Sequence, residues 1–500
     1  MSGATGDCVT EPAGHRRELV VCLAVAAAIV MLQAVVPLRF EQVFDSDQAV
    51  YGLMAKHLSE LRAFPLFFYG QNYMLGVQSW LAAPLFLIGG PSVTLLRAPI
   101  VLLNLTVALG FVWFLSRQGR RPRYALAAAL PVVAFTPARA LELGAAYGAG
   151  IEPYGYVLAL WLVRRRPLAF GALLGFGTLH REFTFLALPA LALVSWRDPA
   201  FRSPRSLAAR AGGFAAVWLV ADAIKRNVNL YGPPGGAWEA GSVTLGAQTF
   251  AQWLSLDLPA YAERIRDLLL QGIPQVLGAR PYPMRSYGVA TDLEAGSLVA
   301  GAVLAVAVVA ALARVLRARR AVPAAPREPA RFTAYLVWLA VLNLGIYGLN
   351  DGILPDNPVP RYGLFVPLVL VALFAVYFAV ERSRAWRAGI ALALAVWAAG
   401  AVFDNGRLVR QLMREPPPRP HREMADYLVS RGIRYARASY WDAYVITFLA
   451  NEQVIVASTG TVRISAYQAE VEQHASEAVT LVRLPCDGET KVAAWCIVEE

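Results

Sequence analysis

What most constrains this chain is a succession of apolar runs, each about 17–25 residues long, separated by short clusters of arginine. Runs of that length cross a bilayer as helices, because a helix satisfies its own backbone hydrogen bonds where no water can. Composition agrees: 57% of the 500 residues are hydrophobic, 16% are charged and the mean hydropathy is +0.46, more apolar surface than a soluble core absorbs. The net charge of +11 does not point to nucleic acid, since the arginines lie between apolar runs and form no continuous basic face. They are topology signals. Only Lys56, Lys225 and Lys491 are lysines, and Cys8, Cys22, Cys486 and Cys496 lack metal-site spacing.

The first run, Leu19 to Leu38, follows Arg16 and Arg17 and has no small-residue cleavage site, so it is expected to remain as an anchor. A polar and aromatic stretch leads to Val77–Ile88, which is short enough to lie along the membrane surface. The run from Val93 to Leu115 ends in Arg117, Arg120, Arg121 and Arg123 and therefore enters the cytoplasm. Further clusters at Arg164–Arg166, Arg197–Arg210, Arg314–Arg331 and Arg382–Arg387 alternate with arginine-poor loops, an alternation that about eleven crossings satisfy. This predicts a polytopic α-helical membrane protein with a cytoplasmic N-terminus. Its membrane domain covers residues 1–404, with outer loops at 39–92, 139–152, 225–292 and 351–361.

Between Tyr124 and Trp196 the runs are short and interrupted by proline, as expected of broken helices that line a protein cavity. After Asp404 a Pro-rich linker, EPPPRP, leads into alternating helical and β-branched patterns, which predict a small extracytoplasmic α/β domain over 405–500. Cys486 and Cys496 share this tail and could pair in an oxidising compartment. No internal repeat is visible, which weighs against secondary-transporter folds.

In the first outer loop, VFDSDQAVYGLMAKHL, Asp45 precedes Gln48 by three residues and is suited to cap a helix start. Asp47 then falls in the first turn, where the helix dipole favours an ionised carboxylate, with Tyr51 on the same face. Simple charge complementarity with the dipole would also explain Asp47, but its location just after the first span favours a functional role.

The order of anchor, DSDQAVYGLMAKHL, RAFPLFFYGQNYML and LAAPLF resembles the first third of the membrane-embedded C-type glycosyltransferases, near the protein mannosyltransferase and lipid A aminoarabinose transferase group. In that group an Asp-Glu-Ala-x-Tyr pattern opens the first outer loop. Here DQAVY stands there, so Asp47 matches the catalytic aspartate, Gln48 replaces the usual glutamate, and Leu61 stands where a helix-ending glycine is common.

The resemblance implies a second acid at Glu152, which a helix start before Pro153 would also explain, with Glu142 as competitor and Glu182 a third possibility. It associates the Arg361–Tyr362 pair with lipid phosphate, although both residue types also anchor at interfaces. His180, Arg181 and Glu182 form an outer triplet suited either to the donor or to a structural ion pair. Tyr69, Gln71, Asn72 and Tyr73 could meet a sugar or form an aromatic belt. No Rossmann fingerprint is present. The activity implied is sugar transfer from a polyprenyl-phosphate donor to an acceptor hydroxyl on a lipid, glycan or protein, with Asp47 as base. A transporter or flippase of lipid-linked sugars is the alternative, and a non-catalytic scaffold a third reading. No cofactor is required by the spacings, which leave a divalent metal open.

Overall fold

The computed structural model describes residues 13–41, 43–71, 73–147, 150–227, 254–281, 295–319, 327–353, 359–486 and 490–499. Asn72 and most of the expected outer loop 225–292 lie outside the described residues. The chain is mostly helical. α1 (Ala13–Arg39) leads to two outer helices, α2 (Ser46–Ser59) and α3 (Val77–Gly89), and then to α4 (Val93–Arg117). A run of short helices follows: α5 (Pro122–Ala129), α6 (Pro137–Gly144), α7 (Glu152–Val163), α8 (Pro167–His180) and α9 (Ala187–Ser195). Beyond them come α10 (Pro204–Asn227), the short α11 (Leu258–Asp267), α12 (Ala295–Arg319), α13 (Arg327–Gly348), α14 (Leu368–Val380) and α15 (Arg384–Arg414).

Among the described residues seven helical segments are long and apolar enough to span, and an eighth crossing arises if Pro122–Val132 and Pro137–Gly144, bent by 81°, form one broken span. Pro131 and Pro137 sit at that bend, where each removes a backbone donor and stops a straight helix. The expected eleven would also require α7, α8 and the Glu182–Ser195 segment, each of 12–14 residues. At 1.5 Å per residue these reach only about 20 Å, against a hydrocarbon core of about 30 Å. Position follows burial: the Arg361–Val380 span is 61% buried and central, whereas Pro204–Lys225 is 17% buried and peripheral.

A wholly buried arginine ties this bundle together. Arg97, on α4, donates to the carbonyls of Pro37 and Phe40 at 2.8 and 2.9 Å and to Gln48 Oε1 at 3.0 Å. Such pairing is what makes an intramembrane cation tolerable. It also ties the end of α1 and the start of α2 to α4.

The expected boundary at residue 404 falls inside α15, which continues to Arg414. Asp404 and Asn405 do not mark the exit from the bundle, because they pack within it: Asp404 accepts from the Gly296 amide at 3.2 Å and Asn405 donates to Phe135 O at 3.0 Å. The α/β domain follows, with α16 (Pro420–Ser430), β1 (Tyr435–Ala438), α17 (Tyr440–Leu449), β2 (Ile455–Ser458), α18 (Ser465–Gln473), β3 (Val479–Arg483), β4 (Thr490–Val492) and β5 (Trp495–Glu499). Its sheet has the order β2-β1-β3-β5-β4, with β1 parallel to β2 and β3, and β5 antiparallel to β3 and β4. Met424, Leu428, Ile446, Val456 and Trp495 fill one side. Cys486 and Cys496 form a disulfide across its end.

This domain sits directly on α2. Phe448 packs with Phe44 and Phe86, and Gly52 is where its ring meets the helix: a Cβ there would lie 2.6 Å from Phe448. Beside this apolar contact, Glu452 bonds Lys56 at 2.6 Å and His57 at 3.0 Å, and Tyr467 donates to Glu452 at 2.6 Å.

Candidate active site

The site begins with the start of α2. Asp45 has extended backbone and accepts from the Gln48 amide at 3.0 Å, which makes it the N-cap and places Asp47 in the first turn. Burial pushes the Asp45 carboxyl up to about 6, opposed by that hydrogen bond. Gln48 points the other way, into the bundle. Its oxygen accepts from Arg97 and from the Ala146 amide at 3.2 Å, while its nitrogen donates to Val43 O. A glutamate could not make that last bond, so an amide suits this position in this chain.

Asp47 opens onto a cavity of about 190 Å³ whose wall also carries Tyr51, Gln71, Tyr73, Arg181, Glu182, Arg361 and Tyr362. Most of the residues singled out in the sequence thus meet, although they come from α2, the loop after it, the α8–α9 link and the turn before α14. Arg361 lies in a 3₁₀ turn, Pro360–Gly363, stacked 5.1 Å from the Tyr362 ring. Asn343 holds that turn by donating to Tyr362 O at 2.9 Å and accepting from the Phe365 amide at 3.0 Å.

Three candidates stand elsewhere. Glu152 is buried behind the wall, where its Oε1 accepts from Gln78 at 2.6 Å and from Arg181 at 3.0 Å. His180 is also enclosed, bonded to Tyr156 at 2.8 Å and Gln78 at 3.3 Å. Tyr69 faces the domain contact, with its hydroxyl 2.9 Å from His57 Nδ1. The competing acid Glu142 pairs with Arg139 at 2.7 Å. Among the described residues no three His, Cys, Asp or Glu side chains gather closely enough to hold a metal.

The C-terminal domain supplies two groups that the sequence reading did not single out, one bonded to Asp47 and one on the cavity wall. The Tyr440 hydroxyl donates to Asp47. Arg463 lines the cavity, donates through Nε to Tyr440 at 3.4 Å, and lies over the Phe68 ring at 5.2 Å. Burial, and then the Asp47 charge, raises the Tyr440 phenol above its ordinary range, so it stays a donor. Neither residue sits in a local pattern that announces chemistry. Their role depends on a contact across 393 residues.

Arg181, Arg361 and Arg463 thus face Asp47 and Glu182 across one small space. Such a site can hold an anionic group by its guanidinium donors while a carboxylate faces a neighbouring hydroxyl. No family model and no curated protein matches the chain in sequence. In structure it aligns with ArnT from Cupriavidus metallidurans bound to undecaprenyl phosphate over 96% of this chain and 97% of that one, at TM-score 0.59 and 12% identity. The chain has the ArnT-like fold. The apo crystal structure of the same ArnT aligns at TM-score 0.44 and 13% identity, over 97% and 98% of the two chains. A multi-pass membrane bundle with a small C-terminal sheet domain is therefore the architecture of this chain, as its runs and tail predicted.

Proposed function

We propose that the chain is a membrane glycosyltransferase that moves a sugar from a polyprenyl-phosphate carrier to an acceptor hydroxyl on the extracytoplasmic side of the cell membrane. The observation that carries this reading is that Asp47 and Arg361 share one cavity. The ArnT fold, seen in a protein that binds undecaprenyl phosphate, supports a lipid-linked donor. The arginine distribution and the Cys486–Cys496 disulfide support a cytoplasmic N-terminus and a tail on the oxidising side.

In the proposed step Asp47 takes the acceptor's hydroxyl proton as the oxygen attacks the anomeric carbon. The bond from that carbon to the phosphate oxygen breaks, and the electron pair leaves with the polyprenyl phosphate. Arg361 stabilises the charge that develops there, with Arg181 held beside it by Glu152. Glu152 is thus a positioning residue in this scheme, and Tyr440 fixes the Asp47 carboxylate. Gln71, Tyr73 and Glu182 are placed to contact the sugar. A single displacement inverts the anomeric centre.

The test is turnover. Purified protein with a polyprenyl-phosphate sugar should release polyprenyl phosphate only when an acceptor is added. Movement of the intact donor between leaflets without release would establish the flippase alternative.

A further inference from the structure

A second, larger cavity lies at the other end of α7 from Glu152, with a volume of about 480 Å³. It is enclosed by the α7–α8 turn, the α9–α10 link and the start of α13. Arg164, Arg165, Arg205, Arg210 and Arg331 line it, and Asp198 is the one acid among its lining residues. That acid is already engaged: Asp198 accepts from the Ala200 amide at 3.0 Å and sits 3.9 Å from Arg331. A strong excess of positive charge therefore faces one space.

An arginine that only marks membrane orientation needs no more than water around it. Two of these are instead fixed in place. Arg164 lies 4.1 Å over the Trp161 ring and donates to Trp161 O at 2.7 Å. Arg210 is only 7% exposed, lies 4.3 Å over Phe201, and is held by Ser206 Oγ at 2.7 Å and Phe201 O at 3.1 Å. Its Nε is buried and has no hydrogen-bond partner among the described residues, a deficit that an anion entering the cavity would relieve. Around the cavity, Leu168, Leu193 and Leu207 on α8, α9 and α10 are exposed, so acyl chains would find apolar surface next to the basic hollow.

We infer that this cavity is a binding site for the phosphate headgroup of an anionic phospholipid, in the leaflet opposite the candidate active site. The guanidinium groups take the phosphate, Ser195 and Ser203 on the wall offer hydroxyls to the rest of the headgroup, and the exposed leucines take the tails. Basic pockets between helices favour anionic headgroups over zwitterionic ones. The inference does not depend on the glycosyltransferase reading.

The full chain, delipidated in a neutral detergent, would be titrated with phosphatidylglycerol, with phosphatidylcholine of the same acyl chains, and with inorganic phosphate, and bound species counted by native mass spectrometry. Phosphatidylglycerol should bind at least about tenfold more tightly than phosphatidylcholine. Arg205→Gln and Arg164→Gln should each weaken it roughly fivefold and together about 25-fold, the effect expected per basic residue at a lipid surface. These two are less buried than Arg210, so the test survives if an Arg210 variant fails to fold. Arg384→Gln, in a different arginine cluster, should change nothing. Equal binding of the two lipids, an equal loss in Arg384→Gln, or inorganic phosphate binding as tightly as phosphatidylglycerol would each overturn the assignment.

Discussion

The two walls of the candidate active site are built differently. On the membrane side the wall residue Arg181 is backed by a row of enclosed partners, Glu152, Gln78, His180 and Tyr156, each bonded to the next within the bundle. The outer wall is a shorter chain, Asp47 to Tyr440 to Arg463, that crosses between α2 and the separate C-terminal domain. Each member of this row has a hydrogen-bonded neighbour inside the protein, which restricts its orientation, although Glu152 Oε2 and Arg181 Nε have no hydrogen-bond partner among the described residues. The outer wall keeps groups turned toward the cavity. We read the first wall as scaffold and the second as the reacting side.

The sharpest way to break that division is Asp47→Asn. Asparagine keeps the size and a hydrogen-bonding oxygen but takes no proton at neutral pH, so transfer measured in membranes at matched expression should fall by about 10²–10⁴, the usual contribution of a general base. Donor affinity should survive, since the phosphate contact is assigned to Arg361. Asp45→Asn is the internal comparison and should stay near the parent, because asparagine also caps helices. Near-normal transfer by the Asp47 variant would dismiss the mechanism.

Glu152→Gln probes the other wall. It leaves Arg181 buried without its counter-charge, and loss of one partner of a buried pair typically destabilises by about 3–5 kcal/mol, less where the amide keeps a hydrogen bond. Thermal unfolding should therefore move down, while transfer per folded molecule drops less than in Asp47→Asn. An Asp47-like loss of transfer in a variant of unchanged stability would make Glu152 a chemical participant and erase the distinction between the walls.

Acid should next test how the domain that carries Tyr440 and Arg463 is held. Burial alone would raise the Glu452 carboxyl, but hydrogen bonds from His57, Lys56 and Tyr467 carry it well below the usual carboxylate range. Asp442, held by His421, Arg483 and Ser439, is lowered in the same way. Because both folded values are depressed, the stability they lend is whole above the ordinary carboxylate range of about 4 and is lost as pH falls below it. Protease susceptibility of the C-terminal domain should rise over that window and be blunted in Glu452→Gln, whose starting stability is lower. A domain equally resistant at pH 3 and pH 7 would show that these ion pairs do not hold it.

Much of this arrangement was legible in the sequence, because its causes are local. A capping residue three positions before Gln48 fixes the start of α2 and so the placement of Asp47, and two prolines mark the bend between α5 and α6. What stayed hidden depends on distant partners. Asp404 and Asn405 look like an exit from the membrane until Gly296 and Phe135 are seen to satisfy them. Arg463, alone in a loop, becomes a cavity residue only when its domain docks. Glu152 and Arg361 are both rim-like in sequence, yet one is walled in by Gln78 and Arg181 and the other is open.

The smallest expected effect concerns Leu61, which has φ +55° just after α2 and is largely exposed. That left-handed conformation strains a branched side chain by about 1–2 kcal/mol, partly offset in glycine by its freer unfolded chain. Leu61→Gly should raise stability by up to about 1 kcal/mol, read as a small upward shift in thermal unfolding, with transfer unchanged. A loss of transfer would mean that this turn helps to set the outer wall.

The contact between Asp47 and Tyr440 also dictates an order of assembly. At 5–20 residues per second, the 393-residue step from Asp47 to Tyr440 takes about 20–80 s to synthesise. During that interval Asp47 has neither Tyr440 to bond its carboxylate nor Arg463 to line the cavity. Tyr440 and Arg463 arrive only with the C-terminal domain. A translation product stopped before Tyr440 therefore carries Asp47 without this partner, and under the proposed mechanism sugar transfer would be reserved for chains extended beyond Arg463.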